Sequence, residues 1–464
     1  MKKKKPNILI VISDQQGIDT IAAYKKFFSH EAYLCHWLKT PNFDRMVAGG
    51  YSFIKSDSTN PVCCPARSSI FTGRYSTETG VTYNNVGIDK NVPNMGEWFE
   101  ANSDYNRIYC GKWHIGGQWN YPDLEGPRKI PGFETIPVGV NGTGDFNDFQ
   151  VSGALKGYIM NYREEKPFLA VAGLMNPHDI CYWTPQLHGD KLVPKSDIFG
   201  SGNSCPPLPP NHNFSFVDPF PKQQVKFTPT EWQNYLYDYC RMIEKLDADL
   251  GRLLDAVDSR EDETLVIFTS DHGEGAARHR RVQKWHPFEQ SVRVPFIAYM
   301  PGHIKKNFVD QKQMVSGIDV MTTVCEFAGI PAPPGGKGRR LKQLLETGIP
   351  TAVMDYTFSE FQHTGRVVRK GDFKYVKIYN YSGIPDQPFV RLEDGKPEKF
   401  RPCAGSSRYE TSPNKLLFNL KEDPWELNDL SADPAFSIKL NELDLLLAEE
   451  WEKSIDPGTH FDRN

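Results

Sequence analysis

Asp14-Gln15 and Asp271-His272 each follow directly on a short apolar run, NILIVIS before the first pair and TLVIFTS before the second. Two carboxylates, an amide and an imidazole make a hard, mostly oxygen donor set, which calcium or magnesium favours and a structural zinc does not. An Asp at a strand end more often caps a helix or closes a turn. Two such pairs, each behind its own run, point instead to one shared metal site. Arg67, Lys112, His114, His178 and Lys284 lie in or beside the same candidate loops. Together they suit a tetrahedral oxyanion and the charge that grows on a departing oxygen. Taken singly, each has an ordinary reading as a solvated cation or a core histidine.

The stretch PVCCPARSSIFTGRY, residues 61–75, adds a puzzle in Cys63 and Cys64. Neighbouring Cα atoms lie about 3.8 Å apart, short of the usual span for a disulfide. Geometry therefore leaves two readings open, a strained bridge or two small packing residues.

These residues sit far apart in the chain, so the fold must gather them. Four apolar runs stop abruptly at polar residues: NILIVIS at Asp14, RIYC at Gly111 and Lys112, FLAVAGLM at Asn176 and His178, and TLVIFTS at Asp271. Helical patterns lie between them, which predicts an α/β fold with a large, mainly parallel sheet flanked by helices. In such sheets ligands bind beyond the carboxyl ends of the strands, where all four groups of polar residues would meet. A long helix is expected before the last run. Thr228, Pro229 and Glu231 supply its cap, and Tyr235, Tyr239, Met242, Leu246, Leu250 and Leu253 form a packing stripe. The turn-rich segment 201–216 reads as a surface excursion near the site. From about residue 346 the pattern becomes alternating strands and turns, then the amphipathic SIKLNELDLLLAEEWEKSI. The expected division is a catalytic domain over 1–345 and a smaller antiparallel-sheet subdomain with a packed helix over 346–464.

Composition narrows the class. The 464 residues carry a net charge of -4, which argues against a protein that coats nucleic acid. The nine cysteines show no repeated pairing and imply no disulfide framework. No apolar stretch reaches membrane-spanning length, and the apolar run after MKKKKP is too short for a signal peptide. The expected location is cytoplasmic or periplasmic.

CCPAR matches the C-x-P-x-R signature of type I sulfatases, and GKWHIGG looks like their second signature. SDQQ, NPHD, TSDHGE and KWHPFEQSVRVPFI fall in the order that family shows, so the resemblance spans roughly residues 7–300. The chain thus resembles the formylglycine-dependent sulfatases of the alkaline-phosphatase-like superfamily, and in pattern the bacterial carbohydrate and glycosaminoglycan sulfatases. The resemblance implies that a maturation enzyme converts Cys63, not Cys64, to formylglycine while the chain is unfolded. Its hydrated aldehyde would be the nucleophile. Asp14, Gln15, Asp271 and His272, together with residue 63, would hold calcium, with magnesium or manganese as alternatives. Arg67 and Lys112 would hold the diol, Lys284 and His178 would bind sulfate and assist the leaving oxygen, and His114 would deprotonate the second hydroxyl to expel sulfate.

Two departures bear on this. Many members have Asp where this chain has Gln15, and Asn where it has His272. An Asp-His second pair also occurs in related phosphonate and phosphodiester hydrolases, so phosphoryl transfer is the alternative activity. An unconverted, sugar-binding homologue is the alternative class. For the substrate, Arg278, His279, Arg280, Arg281, His363, Arg366 and Arg369 are candidates to face a sulfated glycan, against the plain reading of a solvated charge run.

Overall fold

The computed structural model describes residues 5–28, 37–117, 129–138, 143–183, 205–213, 225, 227–361, 365–378, 388–390, 397–399 and 415–454. Its main sheet has eight strands: β1 (Asn7–Asp14), β2 (Tyr51–Asp57), β3 (Asn106–Gly111), β4 (Glu134–Ile136), β5 (Phe168–Pro177), β6 (Thr264–Ser270), β7 (Phe296–Tyr299) and β8 (Phe308–Ser316). They run in the order β4-β3-β5-β1-β6-β7-β2-β8. Only β7 runs against its neighbours, pairing antiparallel with β6 and β2. The four apolar runs read from the sequence are β1, β3, β5 and β6, and they are consecutive in the sheet. Their carboxyl ends therefore open onto one edge.

β1 shows why the runs are continuous rather than alternating. Ile8, Ile10 and Ile12 pack into the core on one face, with Tyr109, Leu169 and Ile267. Leu9 and Val11 pack on the other, with Ala170, Leu254 and Val266. All five are fully buried, so both faces contribute, at about 1.5–3 kcal/mol for each such side chain. The helix Pro229–Asp258 covers the second face. It begins as its sequence predicts, with Thr228 Oγ1 accepting from Glu231 N at 3.3 Å and Glu231 Oε2 accepting from Thr228 N at 2.7 Å.

A second, antiparallel sheet is built from β9 (Tyr356–Phe361), β10 (Gly365–Lys370) and β11 (Phe373–Ile378), a separate ribbon of β12 (Pro388–Val390) and β13 (Pro397–Lys399), and then β14 (Lys415–Asn419). The four-stranded order is β14-β11-β10-β9. The helix Ser437–Ser454 buries Leu443 and Leu447 against Val368, Tyr375 and Leu417. The other face of this sheet turns Val367, Val376 and Leu416 toward Phe288 of the chain that carries β6 and β7. Described residues 205–213 are in part the surface excursion expected of them, with Pro207, Pro210 and Asn213 exposed. Asn211 and His212 are buried, Asn211 donating to the Trp425 carbonyl at 2.8 Å and His212 Nδ1 lying 2.7 Å from the Ala277 carbonyl. No described helix is long and apolar enough to cross a membrane.

Two glycines let β3 deliver its terminal lysine. Gly111 pairs with Gly173 across β3 and β5, and Lys112 N donates to the Gly173 carbonyl at 2.8 Å. Gly111 sits at φ +93°, and a Cβ there would lie 2.1 Å from that carbonyl oxygen. Gly111→Ala should therefore cost more than about 1 kcal/mol and lower turnover by displacing Lys112. A thermal melt together with an activity assay checks this, and an unchanged melting temperature would count against it.

Candidate active site

β1 and β6 run parallel with Ser13 opposite Ser270, so Asp14 and Asp271 leave the sheet side by side. Gln15 N donates to Asp271 Oδ1 at 3.1 Å, and His272 N donates to the same oxygen at 2.9 Å. The chain turns sharply here, with Gln15 in the left-handed region at φ 75°. Across from the strand ends, Cys63 opens the helix Cys63–Thr72, all ten residues of which are buried. Its Sγ lies 3.1 Å from His272 Nε2, 3.1 Å from Lys284 Nζ and 3.8 Å from Asp14 Oδ1. Ligand atoms of Asp14, Cys63, Asp271 and His272 all fall within 4.8 Å of one another. Gln15 Oε1 joins them through Lys284 Nζ, at 2.8 Å.

Two adjacent buried carboxylates need positive charge. Arg67, one turn into the same helix, donates through Nε to Asp271 Oδ2 at 2.8 Å and through Nη2 to Asp14 Oδ2 at 3.2 Å. Lys112 Nζ lies 2.6 Å from Asp14 Oδ2, and all three side chains are fully buried. Burial opposes ionisation of Asp14, but the cations of Lys112, Lys284 and Arg67 outweigh it and hold its carboxyl well below the usual range. Burial and the neighbouring Asp14 push Asp271 up to about 7. Burial also opposes the charge on Lys284, yet Cys63, Cys181 and Asp14 raise its pKa, so it stays an ammonium. His114 and His178 are both held well below the ordinary histidine value by burial and by Lys112, and are neutral near pH 7.

A hard divalent cation fits this arrangement. His272 Nδ1 is 2.9 Å from the Gly273 carbonyl, a contact that places the proton on Nδ1 and turns the Nε2 lone pair toward Cys63. The arginine and lysine contacts engage the Oδ2 atoms of both aspartates, while both Oδ1 atoms lie within 3.8 Å of His272 Nε2. Asp14, Asp271 and His272 thus present two oxygens and one nitrogen beside residue 63, and Gln15 Oε1 contacts the Lys284 ammonium that also reaches it. Cys64, by contrast, packs away from the cluster. Its Sγ lies 3.1 Å from the His114 carbonyl, burial pushes its thiol pKa up strongly, and both cysteines are free.

The residues proposed to face substrate are spread more widely. Arg278 pairs with Asp19 and lies over the Trp425 ring. His279 stacks on Phe288 at 4.0 Å, and Arg281 lies over the same ring. Arg366 Nε is 3.7 Å from Glu360, and Arg369 pairs with Asp57 and Glu289, each at 3.2 Å. Arg280 is the exposed member of its run and donates to Asn213. His363 lies outside the described residues. The sequence reading gave no role to three groups that reach the centre. Glu274 accepts from Gln15 Nε2. Tyr235 OH donates to Glu274 at 2.6 Å, and Tyr239 OH donates to the Gln15 carbonyl at 2.8 Å. Glu274 stands inside TSDHGE, two residues past His272, and that proximity is the available signal. The tyrosines were assigned to packing, and their hydroxyls show no periodic signature.

An eight-stranded α/β sheet that gathers a metal-type donor set, paired cations and a helix-borne nucleophile position defines a hydrolase of tetrahedral oxyanion esters. The sulfatase family model matches residues 6–330, and a model described as N-sulphoglucosamine sulphohydrolase, C-terminal, matches residues 277–384. The chain belongs to the sulfatase family. It is 26% identical to an ulvan-active sulfatase of Formosa agariphila over 96% of this chain and 80% of that one. It is also 26% identical to a Delta 4,5-hexuronate-2-O-sulfatase of Bacteroides thetaiotaomicron, over 98% and 90%. The solved structure of a 2-O GAG sulfatase superposes with a TM-score of 0.74 at 23% identity, covering 97% of this chain and 93% of that one.

Arg67 is the residue whose loss should be felt most in the metal-free protein. Arg67→Met leaves two buried carboxylates facing one another and should cost about 3–5 kcal/mol. Denaturant unfolding in chelator and in excess calcium checks this. The loss should shrink with the ion, because a bound cation supplies the missing charge.

Proposed function

We propose that this sulfatase hydrolyses sulfate monoesters of a glycan or glycosaminoglycan fragment, with Cys63 matured to formylglycine and one calcium ion held by Asp14, Gln15, Asp271 and His272. The observation that carries the reading is the convergence of those four side chains and Lys284 on residue 63, at the first turn of a buried helix. The helix end faces the site with amide donors and a positive dipole, which suits an incoming sulfate. A formylglycine hydrate would supply the oxygen nucleophile, and a cation held by Asp14, Gln15, Asp271 and His272 would polarise the sulfate and favour the ionised hydroxyl.

The other steps belong to the chain's own residues. Arg67 and Lys112 hold the Asp14 carboxylate beside position 63 and would hold the diol formed there. Lys284, held as an ammonium 3.1 Å from Cys63 Sγ, binds sulfate and offsets the charge that grows on the ester oxygen. His178, whose pKa burial and Lys112 hold well below the ordinary value, would assist that oxygen as an acid or as a neutral N–H donor. Neutral His114 has the protonation state a base needs to accept the proton whose removal expels sulfate. The 2-O-sulfatase relatives and the cationic segment between His272 and Lys284 support a sulfated, acidic sugar. Within that segment Arg280 is exposed and suited to reach it, whereas Arg278, Arg366 and Arg369 already hold ion pairs. We assign catalysis to residues 1–345 and a supporting role to the second sheet within 346–464.

Cys63→Ala should abolish sulfate release with the fold intact, while Cys64→Ala retains most of it; equal loss in two folded variants would contradict the assignment. Chelation should remove activity, and calcium should restore it. On enzyme verified by peptide mass as converted at residue 63, kcat/KM should be higher for sulfated mono- or oligosaccharides than for matched phosphate diesters or phosphonates. The reverse ranking would make phosphoryl transfer the true activity.

A further inference from the structure

Gln15 is the weakest member of the donor set. An amide carries no net charge, and only one of its two ends can face a cation. A carboxylate in its place would present oxygen in either rotation. Whatever turns the Gln15 amide decides whether the site has a fourth ligand.

The surroundings of Glu274 make that choice. Its side chain is buried, with the residue 1% exposed, and its four hydrogen-bond partners among the described residues are all donors. Oε1 accepts from Tyr235 OH at 2.6 Å, Gln283 N at 2.7 Å and Ala276 N at 3.1 Å. Oε2 accepts from Gln15 Nε2. A carboxylate pinned this way can take only the NH2 end of the amide, since the reverse orientation would set oxygen against oxygen. Gln15 Oε1 is left on the other side, 2.8 Å from Lys284 Nζ and 3.2 Å from Cys181 Sγ, both donors. The backbone of Gln15 is clamped as well, through Asp271 Oδ1 at its N–H and Tyr239 OH at its carbonyl. Rotation of the amide is therefore the freedom that remains, and Glu274 removes it.

We propose that Glu274, held by Tyr235, is a positioning residue for the metal site. It orients Gln15 so that Oε1 faces the cation, and it places a negative charge one amide away from a centre with only two carboxylates. The proposal rests on the metal-site reading above. Polarised by Glu274, the amide oxygen becomes a better donor.

The interaction can be inverted. In Glu274→Gln, the three donors around Oε1 keep the new side chain's oxygen, so its NH2 group meets the Gln15 NH2 group and Gln15 turns its nitrogen to the cation. Gln15→Glu alone sets two carboxylates together. The double variant Gln15→Glu/Glu274→Gln restores one donor and one acceptor with the same number of heavy atoms. Binding is measured calorimetrically on unconverted, metal-free protein titrated with calcium, magnesium and manganese in turn, using the ion the native protein binds tightest. Glu274→Gln should weaken binding by about 10- to 100-fold, whereas Gln15→Glu, which adds a carboxylate that the cation itself neutralises, should not, and the double variant should recover to within about threefold of native or better. A double variant as weak as Glu274→Gln alone would overturn the proposal, as would native affinity in Glu274→Gln. If Glu274→Gln does not fold, Tyr235→Phe decides: it should weaken binding several-fold, and unchanged affinity would overturn the assignment. Failure of the native protein to bind any of the three ions would instead refute the metal site itself.

Discussion

Two carboxylates buried side by side set the terms for the rest of this protein. The parallel pairing of β1 and β6 leaves no choice about the neighbours: with Ser13 opposite Ser270, Asp14 and Asp271 must emerge together. Their repulsion in a buried site exceeds what packing alone could absorb. Arg67 and Lys112 answer it on the Oδ2 side, and the Oδ1 atoms face His272 Nε2, where the proposed cation would sit. The buried histidines respond to the same field. Cations gathered to neutralise the aspartates, together with burial, keep His114 and His178 uncharged, which sets what proton chemistry each can do.

The charge pattern also explains how one chain carries several apparently independent signatures. Arg67 lies one turn after Cys63, so the helix that presents residue 63 also brings the cation that stabilises the carboxylates. Lys112 reaches Asp14 only because Gly111 and Gly173 let β3 and β5 approach at their ends. Lys284 returns after a loop that starts at His272. Each spacing is a consequence of delivering one charge to one place.

Much of this was legible before any coordinates. The four runs that became β3, β5, β1 and β6 end in the residues that meet, because continuous apolar segments bounded by polar residues are what a sheet buried on both faces requires. The helix from Pro229 was legible from Thr228 and Glu231, whose capping contacts are local. What stayed hidden was long-range. Tyr235 and Tyr239 belong to a packing stripe by period, and only the fold reveals that their hydroxyls reach Glu274 and Gln15 across 39 and 224 positions. Likewise Arg278 and Arg369 read as candidate sugar contacts, because a sequence shows a charge but not the Asp19 or Asp57 that engages it.

The helix Cys63–Thr72 has one more consequence, and it concerns time. Residue 63 is 1% exposed and its whole helix is interior, so a modifying enzyme can reach it only before the helix docks. On the proposed conversion of Cys63, chemical maturation and folding would compete for the same short interval. The fraction of active molecules would then be set by the ratio of two rates and locked once the chain closes. A preparation would be a fixed mixture of two populations alike in fold, with a composition that records how fast each chain was made and met its modifying enzyme. Specific activity would vary with expression history while every measure of structure stayed the same.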